Sequence, residues 1–323
     1  MTPIVASQTM IRFLLRRVSL TVLILLGVSV VVFLTTKLIP GDPVSTLLGP
    51  YSTAEDRARL VVKLGLDRPL PVQYASYLWT LLHGDLGRSI ARQQPAANVV
   101  LPAFANTLLL SGFAAVVAVV GGVLLGAVAA LRRSSVAARV VTALSLVSVS
   151  APQYVVAVAL IVLFAVQTRL LPPGGISSAL GGGGIGDLAQ HIILPGVTAA
   201  LVPMGIIARM FRSALLDVLS QDFVVALRGH GLPPRTILLH VLHNGLPPLL
   251  TISGLQVGYL LGGVVFVETV FTWPGLGLLI FTSISERDLP VIEAGVLIAA
   301  CAFVLINLAV DTAHAAIDPR VRA

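Results

Sequence analysis

Two lysines are all this sequence contains, Lys37 and Lys63, and neither follows a glycine. A Gly-x-x-x-x-Gly-Lys-Ser/Thr phosphate loop needs its lysine to reach the β and γ phosphates. ATP hydrolysis by that route is therefore excluded for this chain. The single cysteine, Cys301, cannot close an intrachain disulfide and reads as a small apolar core residue. His-Glu-x-x-His and Gly-x-Ser-x-Gly are also missing, and no other hydrolase or metalloenzyme constellation stands in for them. The six histidines are scattered, so the convergent imidazoles or thiolates of a nickel site are not seen. Charge is scarce as well: 11% of the 323 residues are charged and 56% are hydrophobic. Soluble domains carry about a quarter charged residues. Such a chain is built for lipid.

What is present is a set of long apolar runs. A spanning helix needs roughly 20 mostly apolar residues. Such runs lie at Val18–Thr36, Thr107–Leu131, Val140–Val166, Ile192–Phe211, Leu246–Val270 and Pro290–Val310. They are continuously apolar, whereas barrel strands would alternate over about ten residues. The expectation is an all-α polytopic membrane protein with six transmembrane helices. Its parts are a lead over 1–17, a first helix over 18–36, a segment with short helices over 37–106, and a core over 107–323. Within the core, 212–245 forms a polar loop. The first run is longer than a signal peptide's apolar region and lacks a clear small-x-small site before Lys37, so it reads as a retained helix.

Arginines orient the bundle. Arg12, Arg16 and Arg17 precede the first run; Arg132, Arg133 and Arg139 follow the second. Arg209, Arg212, Arg228 and Arg235 surround the 212–245 loop, and Arg320 and Arg322 follow the sixth run. With six alternating helices these flanks share one side, which the positive-inside rule makes the cytoplasm, termini included. The net charge of +7 is thus a membrane-flank property and does not point to nucleic acid. The first outer segment is roughly 70 residues long, and long loops translocate largely regardless of charge.

Between the runs, local signals are legible. Met1–Met10 reads as a loose polar lead, and Ile39-Pro40-Gly41-Asp42-Pro43 as a punctuated turn. Ser52–Leu66 suggests an amphipathic helix with Thr53 as cap, Glu55 and Asp56 in its first turn, and Gly65 at its end. Tyr74–Leu82 suggests a second short helix with aromatic anchors, and Gly181–Gly184 a flexible loop. Pro152 kinks the third run. Ser145, Ser148, Ser150 and Gln153 beside it either line a pathway or make helix contacts through small residues.

Residues Asp222–Pro248 are polar, kinked and basic between two apolar runs. Asp222 can cap or favourably charge a helix start, with Phe223, Val224 and Leu227 as an apolar stripe. Gly231 can take the left-handed conformation that ends a helix. Pro234 suits the start of the next helix, which carries Ile237, Leu238 and Val241 on one side and Arg235, His240 and His243 elsewhere. These features predict an elbow of two short helices. Physics alone leaves open whether it docks another protein or is a plain connector.

The elbow resembles the EAA loop of ABC-importer permeases, in the dipeptide/oligopeptide/nickel branch. Asp222, Phe223, Val224, Arg228, Gly231 and Leu232 fall on that pattern, followed by His240, Asn244, Leu246, Pro248 and Thr251. Leu227 and Gly229 stand where the branch has alanines, and His230 where it has lysine. The resemblance continues through Leu64-Gly65-Leu66-Asp67-Arg68-Pro69, Gly84-Asp85-Leu86-Gly87 and Leu171-Pro172-Pro173-Gly174-Gly175. It extends to Glu268–Gly277, Arg287-Asp288-Leu289-Pro290, Asn307–Asp311 and Asp318-Pro319-Arg320. It implies the type I ABC-importer permease fold in the plasma membrane of a prokaryote. It further implies a second related permease, two ATPase subunits holding ATP and Mg, and an external solute-binding protein. The chain itself would bind no cofactor and would not be an enzyme. Di- or oligopeptides are the implied cargo, with nickel, glutathione and oligosaccharides as alternatives.

Acids in or near the runs are costly against lipid, about 2.5–3.5 kcal/mol at a helix centre. Glu268 would pair with Arg287 or meet a peptide's amino terminus. Glu293 suits the dipole at the start of the sixth helix, and Asp311 would pair with Arg12, Arg16 or Arg17. An ion-coupled secondary transporter would show inverted repeats, and a membrane-integral enzyme would gather polar catalytic residues; neither pattern is visible.

Overall fold

The computed structural model describes residues 3–38, 53–63, 67–132, 135–178 and 183–317. The turn at Ile39–Pro43, the helix end at Gly65, Arg133, Gly181 and the Asp318-Pro319-Arg320 motif lie outside them. The described residues are mostly helical, without a named strand; Arg88 and Pro95 form one isolated bridge. Twelve α-helices follow in order: α1 Pro3–Leu38, α2 Ala54–Lys63, α3 Leu70–Leu82, α4 Ala96–Leu131, α5 Val136–Ser150, α6 Gln153–Leu160, α7 Ile185–Leu219, α8 Asp222–Gly229, α9 Pro234–Gly263, α10 Val265–Val270, α11 Leu276–Glu286 and α12 Leu289–Ile317. A π-helical stretch, Ile161–Gln167, extends α6. The lead expected to be loose is helical from Pro3 and belongs to α1.

α7 is the axis of the bundle. Of its apolar window 67% is buried, against 17% for α1 at the periphery. Its main neighbour is α4. A Cβ on Gly126 would lie 2.7 Å from the Ala208 carbonyl of α7, so the two backbones meet where a side chain is missing. Close approach through small residues is how helices associate in lipid, where apolar burial alone gives little drive. The core around this contact includes Leu110, Ile207, Phe211, Leu215, Val241 and Leu260.

Four helices are long and apolar enough to cross a membrane among the described residues: Leu15–Thr35, Ala96–Leu131, Ile185–Leu219 and Leu289–Thr312. The third run departs from expectation. A kinked helix was predicted, but α5 and the α6–π segment meet at 110° and count as a fifth span only if joined. Pro152 disfavours helical backbone at the residue before it, and Ala151 is extended at φ −76°, ψ 131°. The fifth run also differs. Its residues are divided between α9 and α10, and α9 begins within the elbow. Pro247 and Pro248 ride inside α9 instead of starting a new helix, and with Gln256 they dilute its hydropathy.

Two short helices precede α4. α2 starts just after Thr53, with an Arg59–Glu55 pair at 2.6 Å. α3 lies against α1 through its aromatics: Phe33 meets the rings of Tyr74 and Tyr77 at 5.4 and 5.6 Å. The Tyr74 hydroxyl lies 2.8 Å from Ser29 Oγ. Asp311 pairs with Arg17, joining the far end of α12 to α1.

Candidate functional site

The elbow forms as two helices joined by a glycine turn. Gln221, extended at φ −75°, ψ 147°, stands at the cap position of α8, and its side chain makes no capping bond. Asp222 is thus the first helical residue, where its carboxylate complements the dipole. At the other end Gly231 has φ +72°. Its N–H donates to the Arg228 carbonyl at 3.0 Å, and the Leu232 N–H donates to the Leu227 carbonyl at 3.3 Å. This pair of bonds is the Schellman ending, which needs a left-handed residue. Nothing lies within 4 Å of a Cβ placed on Gly231, so backbone conformation alone selects glycine there. Pro233 caps α9 and Pro234 occupies its first turn.

The elbow's two faces differ in chemistry. Val224, Ile237 and Val241 are buried in the main core, with Phe223, Leu227 and Leu232 packed beside them. Asp222, Arg228, His230, Arg235, His240 and Asn244 are exposed, together with Val225 and Leu239. His240 Nδ1 lies 2.9 Å from the Thr236 carbonyl, and Asn244 Nδ2 donates to the His240 carbonyl at 2.8 Å. A hollow of about 390 Å³ opens beside the turn, lined by Leu131, Leu219, Arg228, Leu232, Pro234 and Leu238 among others. The apolar stripe is thus anchored in the core, while the outer face is polar and basic. One difference from expectation is that the second elbow helix is not short, since it continues as α9.

The polar residues near Pro152 are placed differently from one another. Ser145 is buried and Ser148 half-buried. Both face Gly205 of α7, where a Cβ would lie 2.8 Å from the Ser145 carbonyl and 3.1 Å from Ser148 Cβ. Gln153 Nε2 donates to the Thr198 carbonyl at 3.4 Å. These are helix contacts to α7; of the four, Ser150 alone is exposed.

Glu268 finds its hydrogen-bond partners at a hydroxyl and two backbone N–H groups. It is fully buried. Its carboxylate accepts the Thr107 hydroxyl at 2.6 Å and the N–H groups of Gly277 and Leu278 at 2.7 and 3.1 Å. The Leu276 N–H donates to Thr107 Oγ1 at 2.7 Å. The open N–H groups at the start of α11 are thus satisfied by one acid and one hydroxyl from other helices. A Cβ on Gly277 would lie 2.9 Å from the carboxylate, and one on Gly275 would overlap it. Beside this cradle, Trp273 Nε1 donates to the Asn106 carbonyl at 3.0 Å, and Asn106 Nδ2 donates to the Pro274 carbonyl at 2.9 Å.

A second buried acid closes the other end of α11. Asp288 accepts the Ser89 hydroxyl and the N–H groups of Ile90 and Ala91 at 3.0 and 3.4 Å. Arg92 pairs with Glu286 at 3.0 Å. A separate apolar cluster of Ala96, Val100, Leu276, Val291 and Ala294 fills the space between. The elbow and this clamp lie at opposite ends of α4, about 36 Å apart at 1.5 Å per residue from Thr107 to Leu131. Sequence reasoning recognised Glu268–Gly277 and Arg287–Pro290 as separate motifs. It missed Ser89, Asn106 and Thr107, because a hydroxyl or amide on an apolar helix carries no signal until its partner is placed.

A bundle of broken and unbroken apolar helices around α7, with a two-helix polar elbow at one end, defines a membrane-transport permease. The family described as "Binding-protein-dependent transport system inner membrane component" matches residues 122–323, and its N-terminal companion matches residues 10–110. The chain belongs to this family. It is 35% identical to the dipeptide transport system permease protein DppB of Escherichia coli K12, covering 97% of this chain and 99% of that one. It is 38% identical to the glutathione transport system permease protein GsiC of Salmonella choleraesuis, with the same coverage. A chain of the inward-facing MetNI methionine ABC transporter shares the fold, with a TM-score of 0.55 and 20% identity over 68% of this chain and 96% of that one.

Proposed function

We infer that this chain is a permease subunit of a binding-protein-dependent ABC importer for di- or oligopeptides, working by alternating access. The elbow carries the reading: a stripe rooted in the bundle core by Val224, Ile237 and Val241 presents Asp222, Arg228, Arg235, His240 and Asn244 outward. A push on that face is delivered to the helices. Six crossings are supported by the four apolar helices, the bent α5–α6 pair and the 30-residue α9. With six, the arginine flanks place both termini and the elbow in the cytoplasm.

Two ATPase subunits, holding ATP and Mg, would grip this elbow and that of a second related permease. An external binding protein would deliver solute to the opposite face. Switching requires contacts that differ between the two states; in this reading they lie at the elbow and at the outer surface. Peptide as cargo is supported by the dipeptide relatives. The glutathione relative supports a second reading, glutathione, itself a tripeptide.

Gly231→Val tests the coupling role. A valine resists φ +72°, while its Cβ meets no neighbour within 4 Å there. In the reconstituted complex, the variant is expected to hydrolyse ATP while uptake falls about tenfold. Wild-type uptake would end the coupling role. Uptake that persists without ATP and follows a proton gradient would point to a secondary transporter instead.

A further inference from the structure

Resting on that coupling role, we propose that α9 is a lever which bends at Gly262–Gly263 against a rigid clamp built around Glu268 and Asp288. α9 starts three residues after Gly231 and runs unbroken to Gly263. At 1.5 Å per residue its 30 residues reach about 45 Å. A displacement at the elbow therefore arrives at its far end. There the regular helix lapses for one residue: Val264, at φ −75°, ψ −16°, keeps helical bonds to Leu260 at 3.2 Å and from Glu268 at 2.9 Å, and α10 begins at Val265. The two residues before the lapse are both glycine, the weakest ordinary helix former. Nothing lies within 4 Å of a Cβ on Gly262, so packing does not demand glycine at that position.

Beyond the lapse, little can give way. Glu268 ties α10 to α4 through Thr107 and to the start of α11. Across the same seam Trp273 donates to the Asn106 carbonyl, and the Asn106 amide donates to the Pro274 carbonyl. Asp288 holds the turn at Ser89–Ala91, just ahead of α4. Three of the four non-glycine residues with positive φ among the described residues, Gln93, Thr272 and Arg287, lie in these same segments. Strained backbone persists only where its surroundings over-determine it. Along its length α9 rests on the core by an apolar face, Val241, Leu249, Ile252 and Leu260, and packed helices slide by small shear steps. In this proposal motion runs along α9, through Pro247 and Pro248, and is absorbed at the glycine pair, the last flexible point before the clamp. Glu268 and Asp288 are positioning residues in this device.

The test uses the full transporter in lipid, with Cys301→Ser as background. Spin labels at Gln93 and Ser285, both exposed, report the clamp; labels at Gln93 and the exposed Leu239 report the lever. Distances are compared between nucleotide-free and vanadate-trapped states. The expected result is a clamp distance that stays fixed while the lever distance shifts. A clamp that changes together with the lever overturns this inference and leaves the coupling role standing. If neither distance changes, both are overturned. Independently, Gly262→Ala is expected to lower solute moved per ATP about five-fold; substitutions at hinges often change turnover. A wild-type ratio overturns the hinge.

Discussion

The elbow and the clamp, at opposite ends of α4, hold their turns by opposite means. The elbow is rooted by apolar side chains and turns on a glycine, Gly231, with open space around it. The clamp is held by two buried acids, and its left-handed positions fall on Gln93, Thr272 and Arg287. Apolar contact is non-directional, so an elbow held this way can shift while staying attached. Buried hydrogen bonds to a carboxylate are directional and costly to lose, so the clamp either holds or fails. The comparison teaches that two turns of one bundle can be fixed by anchors of different chemistry, one apolar and one hydrogen-bonded.

The largest expected effect strikes the clamp. Glu268→Ala strips partners from Thr107, Gly277 and Leu278 and should destabilise the protein by about 3–5 kcal/mol. Thermal unfolding of the purified complex checks this, and a near-native midpoint would remove the clamp from the comparison. Next come two glycines that differ in surroundings. Gly277→Ala forces a methyl to within 2.9 Å of the carboxylate and 2.8 Å of Val265 Cα; overpacking of this kind costs about 1–3 kcal/mol. Gly231→Ala meets no atom and should cost only the left-handed penalty, about 1–2 kcal/mol. Asparagine, which accepts this conformation, should restore position 231 and should not restore position 277; equal rescue would erase the distinction. The smallest effect belongs to Arg17→Ala. Arg17 and Asp311 retain 43% and 28% exposure, and a pair so open to its surroundings contributes about 1 kcal/mol or less. A larger loss would show a third anchor between α1 and α12.

The elbow was the more legible of the two ends. Its helix start, its glycine turn and its apolar stripe are local patterns, carried by residues within ten positions of one another. Where reading failed, distance along the chain was the cause. Glu268 reaches back to Thr107, and Asp288 to Ser89, across most of the core. The 110° turn at Ala151-Pro152 and the passage of α9 through Pro247-Pro248 show the same limit. Proline states that a hydrogen bond is missing; neighbouring helices decide whether the chain turns there or continues.

By itself the sequence determined the apolar helical class, the placing of charge and the glycine turn of the elbow, because lipid demands apolar helices and a tight turn demands glycine. Tertiary structure alone decided that Glu268 is an enclosed acceptor, that Ser145 and Ser148 meet Gly205, and that α9 joins the elbow to the clamp. Those outcomes depend on which backbones approach one another, a property of the packed bundle that no single stretch of chain carries.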